Sequence, residues 1–147
     1  MPKHRSSRLV PAAVVTTLAA TVLAGCGGSA YCDAVKENEK ALNSFGQKRS
    51  DAAYTSYAKT MRDIAKVSPD DVKKDWQALA KVTEGVLSAQ KDVGLDLKDM
   101  TDAAKVKKLD AAGLKKVNAA YEAFNKTTDQ RNAVVKNVKQ ECKVTLK

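Results

Sequence analysis

Few residues of this chain are equipped for chemistry: one histidine, His4, three cysteines, Cys26, Cys32 and Cys142, one tryptophan, Trp76, and several close-set carboxylates. The segment from Asp92 through Asp96 to Asp99 brings three carboxylates into one connection, as a calcium loop would. It departs from an EF-hand at two decisive positions, with Leu97 where the loop requires glycine and Ala103 where a bidentate glutamate belongs. Asp70 and Asp71 are adjacent, and Asp33 shares a helix face with Glu37, so paired carboxylates for acid–base work can be drawn. Helix starts explain all of these more simply, because an acid in a first turn is favoured by the helix dipole. Glycosidase chemistry further requires two carboxylates facing each other across a sugar-sized cleft, for which an Ala-rich helical chain of this length has little room.

His4 lies in a segment we expect to be removed. Lys3, Arg5 and Arg8 open the chain without an acid, and an apolar run of 15 residues, Leu9 to Leu23, follows. That order marks a secretory signal peptide, and the run is shorter than the roughly 20 apolar residues a spanning helix needs. Loss of residues 1–25 leaves 122 residues without an imidazole. Hydrolysis by a nucleophile would then rest on a serine–lysine pair, and we expect no Ser-x-x-Lys in the exported part. The expectation is a chain with no catalytic residues, no metal and no cofactor.

Leu23-Ala24-Gly25-Cys26 resembles the lipobox of bacterial lipoproteins, in which a cysteine after small residues receives a diacylglyceryl group and becomes the new N-terminus. The resemblance implies lipidation at Cys26 and a place on the outer side of the cell membrane. Two acyl chains on one glycerol give stable retention where a single chain does not. Residues 26–30 then form a flexible tether, and residues 31–147 a single domain. Acylation of Cys26 leaves Cys32 and Cys142 for a disulfide in an oxidising compartment. On the chain-entropy account a bridge closing so long a loop stabilises by up to about 4.7 kcal/mol.

The elements that must position these residues are helical throughout. Apolar positions Cys32, Val35, Leu42 and Phe45 recur at helical steps in a first helix ending near Gly46. Tyr54, Tyr57, Met61 and Ile64 make a second. Ser68-Pro69-Asp70-Asp71 supplies a capping hydroxyl, a first-turn proline and two acids for a third, which continues through Val72, Trp76, Leu79, Thr83 and Val86 toward Gly94. A short helical stretch runs toward Leu109. From Leu114 the positions Val117, Tyr121, Phe124, Thr128, Arg131, Val135, Val138 and Cys142 alternate steps of three and four. The spacing predicts an all-α, antiparallel bundle of about four helices, closed by a disulfide between its N- and C-terminal helices.

Over residues 31–147 this layout looks like small helical actinobacterial lipoproteins of unassigned function. The matching pieces are Tyr31-Cys32-Asp33-Ala34, Pro69 through Asp75-Trp76, and Cys142-Lys143-Val144-Thr145-Leu146. The resemblance implies a helical, disulfide-closed envelope protein and carries over no active residue.

The chain has a formal net charge of +9, and its basic character belongs to residues 105–147, which hold 11 Lys and Arg against 4 Asp and Glu. Lys115, Lys116, Lys126, Lys136, Lys139 and Lys143 fall outside the apolar seam of the last helix and offer a cationic side. Such a side is usually only solvated. Its functional reading is contact with anionic headgroups, a wall polymer or an acidic envelope protein. Nucleic acid is not expected, since no aromatic residues interleave with these lysines for base stacking. Trp76 reads as core. The first expectation for function is a non-enzymatic envelope protein whose bundle binds or braces another envelope component, favoured by a closed Ala-packed core. The alternative is a carrier whose core holds a small apolar ligand around Trp76, Tyr54, Tyr57 and Tyr121, favoured by a cavity of a few hundred cubic ångströms. Arg131 falls on the seam, where an unpaired charge is costly. It either pairs with Glu39 or yields the inward position to Val134 and reaches water.

Overall fold

The structure, a computed structural model, describes residues 29–147. The segment expected to be a signal peptide, and the expected lipobox with Cys26, lie outside the described residues.

Helix α1 (Ala30–Glu37) starts where Ser29 Oγ accepts the Cys32 N–H at 3.2 Å. Ser29 and Ala30, expected in the tether, therefore belong to the folded domain. Asn38 ends α1, with its side-chain amide donating back to Ala34 O at 2.8 Å, and the chain continues in α2 (Glu39–Asn43). Gly46 takes a positive φ of 79°, a region open to glycine, and turns the chain toward α3 (Asp51–Val67), which is capped by Ser50.

The Ser68 hydroxyl does not cap the next helix as expected. It donates to Ile64 O at 2.7 Å, closing α3, and Pro69 stands at the start of α4 (Asp70–Lys91) with Asp70 and Asp71 in its first turn. Beyond α4, Gly94 at φ 71° reverses the chain, with the Leu95 N–H reaching Gln90 O. A 3₁₀ turn (Leu97–Thr101) and α5 (Ala103–Val106) fill the long connection.

Helix α6 (Ala111–Asn125) begins at Asp110, whose carboxylate accepts the Gly113 N–H. The long periodic stretch is not one helix. It breaks at Lys126–Thr127, where the Thr127 hydroxyl donates to Phe124 O at 2.7 Å, and resumes as α7 (Thr128–Asn137). A π turn (Val138–Cys142) ends it. The break advances the inward phase by one residue. Thr127 and Val134 are buried where Thr128 and Val135 were expected, and Val135 is 36 % exposed. The wider π turn then lets Val138 and Cys142 both face inward.

Four helical columns result: α1 with α2, α3, α4, and α6 with α7. Helix α4 is central, packing against α3 most extensively and against α6 and α7 on other sides. The Cys32–Cys142 disulfide joins α1 to the π turn with Cα atoms 5.0 Å apart. Lys143, at φ 58°, then sends the last residues back along the bundle, so that Val144 is buried and the Lys147 N–H reaches Asn43 Oδ1 at 2.8 Å. Among the described residues no helix is long and apolar enough to cross a membrane.

Candidate functional site

Trp76 is 1 % exposed in the middle of α4, with its Nε1–H donating to the Tyr31 hydroxyl at 3.3 Å. Tyr31 donates in turn to Asn137 Oδ1, and Asn137 Nδ2 donates to Asp71 Oδ2, so one polar chain ties α1, α4 and α7 together. Burial raises the Tyr31 pKa above the ordinary phenol value, and the Trp76 hydrogen bond opposes that rise.

Beside Trp76 lies a groove of about 380 Å³. Met61, Trp76 and Leu79 form its base, while Leu42 and Phe45 on one side and Val134, Val135 and Leu146 on the other form apolar walls. Thr128, Arg131, Asn132 and Lys147 supply its polar lining. The groove lies between the α2 end of the first column, which contributes Leu42 and Phe45, and α7, and the returning tail contributes Leu146 and Lys147. Its volume falls in the range of small-molecule sites.

The four aromatic residues expected around one ligand are divided between separate places. Tyr57 is fixed by donating to Ser44 O at 2.6 Å and meets the Phe45 ring edge-on at 5.0 Å. Tyr54 and Tyr121 line a different cavity with Arg49, and Phe45 and Phe124, 5.7 Å apart, stand between that cavity and the groove.

Arg131 does not meet Glu39. Its guanidinium lies 5.6 Å from the centre of the Phe124 ring and reaches Asn125 O at 3.4 Å, while Val134 takes the inward place. A cation over an aromatic face satisfies the charge without burying it.

All six lysines of the expected basic side are exposed. Lys116 pairs with Asp92 and Lys126 with Glu122, each at 2.6 Å, and Lys136 shares a depression with Asp71 and Asp75. Lys143 Nζ donates to Gln140 O. Lys115 and Lys139 are exposed without an ion pair among the described residues, so the positive field is more broken than the sequence spacing suggests.

The three carboxylates of the 92–99 connection go to different partners. Asp92 meets Lys116, Asp96 and Asp99 form a capping box about the 3₁₀ turn, and Asp99 also binds Lys105. Among the described residues no three His, Cys, Asp or Glu side chains gather as metal ligands would. Against the expectation of none, Ser-x-x-Lys spacing occurs twice, at Ser56-Tyr57-Ala58-Lys59 and Ser88-Ala89-Gln90-Lys91. Ser56, Lys59, Ser88 and Lys91 are all exposed, and Lys59 is engaged by Asp63 at 2.7 Å.

The chain matches no known protein family, no curated protein and no solved structure at a significant level.

Proposed function

We propose that this chain is a lipid-anchored, non-enzymatic binding module on the extracytoplasmic side of the cell membrane, holding a small apolar ligand in the groove beside Trp76. The observation that carries the proposal is the groove itself: about 380 Å³, walled by Leu42, Phe45, Val134, Val135 and Leu146 and open to solvent. Apolar walls around a concavity of this size favour a ligand whose burial removes apolar surface from water, at about 25 cal/mol per Å². The Cys32–Cys142 bridge supports the compartment, because such bridges persist outside the reducing cytosol. The Leu23-Ala24-Gly25-Cys26 pattern supports the anchor. Contact of the lysine side with an envelope protein or anionic wall polymer is a weaker reading, since Lys116 and Lys126 already have carboxylate partners.

Native mass spectrometry of the exported Cys26→Ser form tests ligand retention. The expected spectrum contains an added small-molecule mass that disappears in a Val135→Asp variant, whose charge stands in the groove wall. A ligand-free spectrum for the parent form under gentle conditions, together with no uptake of added decanoate, would overturn the carrier reading.

A further inference from the structure

A second cavity, of about 330 Å³ and more enclosed than the groove, lies on the other side of the Phe45–Phe124 ring pair. Its lining combines Arg49 from the α2–α3 connection, Tyr54 from α3, Tyr121 and Phe124 from α6, and Leu97 and Met100 from the 3₁₀ turn. Four separate parts of the chain converge there.

Of the polar groups lining this cavity, Arg49 can only donate, while the Tyr54, Tyr121 and Thr101 hydroxyls and the Asn125 amide can donate or accept. Tyr31, Tyr57 and Tyr121 have hydrogen-bond partners within the protein, whereas the Tyr54 hydroxyl has none among the described residues and its oxygen, at the end of an otherwise buried ring, is open to solvent. The Tyr121 oxygen accepts from Gln90 Nε2 at 3.0 Å, which leaves its own hydrogen free to donate. Arg49 is exposed and has no carboxylate in ion-pair range among the described residues. Asp51, the nearby acid, is held in place by its Oδ1, which accepts the Leu97 N–H at 2.8 Å and pins the 3₁₀ turn to the start of α3, while its charge is one of the smaller causes that raise the Tyr121 pKa. Burial holds the Tyr54 and Tyr121 hydroxyls above the ordinary phenol value, so both remain protonated donors at neutral pH.

We propose that this cavity binds a small monocarboxylate with a flat apolar body, the carboxylate taken by Arg49 and the Tyr54 and Tyr121 hydroxyls and the body by Phe124, Leu97 and Met100. A guanidinium and two hydroxyls supply donors for an acceptor-only group, and charge-assisted hydrogen bonds are about twice as strong as neutral ones. The remaining lining suits an aryl ring rather than a hydrated sugar or peptide. The site is separate from the groove and does not depend on its ligand.

Calorimetry of the purified processed protein with benzoate, and with benzamide as the uncharged isostere, tests the site. Benzoate should bind at least about ten-fold more tightly than benzamide, the discrimination expected of one charge-assisted contact. Arg49→Gln should remove that preference, and Tyr54→Phe should weaken benzoate several-fold while leaving the unfolding midpoint close to that of the parent. Tyr121→Phe should weaken benzoate similarly but lower the midpoint, because buried Gln90 loses the acceptor for its Nε2. Lys81→Gln, which removes an exposed cation of α4 that lines neither the groove nor this cavity, should leave benzoate binding unchanged. Equal binding of the two probes, an unchanged preference in Arg49→Gln, loss through Lys81→Gln, or no heat at millimolar benzoate would each overturn the proposal.

Discussion

Asp63 stands between Lys59 and Lys66 on the exposed side of α3, hydrogen-bonded to both at 2.7 and 2.6 Å. The Lys59 and Lys66 hydrogen bonds lower its pKa to about 2. A carboxylate lowered on folding stabilises the native state above its unfolded pKa, and that contribution is lost as pH falls through the folded value. The loss should therefore fall between about pH 4 and pH 2, and it should be small because the side chain is solvated and its ion pairs are screened. Carbon-detected NMR titration should give Asp63 a midpoint near 2. In a Lys59→Met, Lys66→Met double variant it should return toward 3.8, the ordinary value; an unchanged midpoint would show that the lysines are not its cause. Residue types alone identified Trp76 as core. Its bond to Tyr31 was not legible, because a contact across 45 residues depends on where α1 and α4 meet.

Among the elements, the start of α4 was readable to within a residue: Asp70 and Asp71 sit in its first turn as their types suggest, while Pro69 stands just before it instead of within it. The last column was read less well. Its heptad continues in sequence across Lys126–Thr127, but a threonine hydroxyl competing for the Phe124 carbonyl interrupts the helix, and a phase shift of one residue leaves no mark on apolar spacing when Val134 and Val135 are adjacent. The two valines make this testable. Val134→Ala, at 3 % exposure, should destabilise by about 1–2 kcal/mol through lost burial and a small cavity. Val135→Ala should stay within about 0.5 kcal/mol, as surface changes do. Urea denaturation measures both, and a reversed order would restore the unbroken heptad. The groove was hidden for a related reason: it depends on the tail turning back at Lys143, a left-handed conformation that a lysine does not advertise.

For the whole molecule, the bundle and its cross-link were legible because the cysteine count and the helical periodicity agree, and α1 and the π turn meet at that bridge. Replacing both Cys32 and Cys142 by alanine should lower stability by about 2–4 kcal/mol, measured by denaturant unfolding of the oxidised parent against the variant. A difference near zero would mean that α1 and the π turn are held by packing alone. The proposed anchor makes a cellular prediction: Cys26→Ser should release the protein from membranes in detergent-free fractionation, and persistent retention with the signal segment removed would count against lipidation. The central claim, an apolar ligand beside Trp76, has a built-in reporter, since Trp76 is the only tryptophan and forms part of the groove's base. The most direct measurement is quenching of its fluorescence by bromine-labelled decanoate. Saturable quenching that is abolished by Val135→Asp, with the unfolding midpoint retained, is the predicted result. Quenching that rises linearly without saturation, or equally in Val135→Asp, would contradict the account.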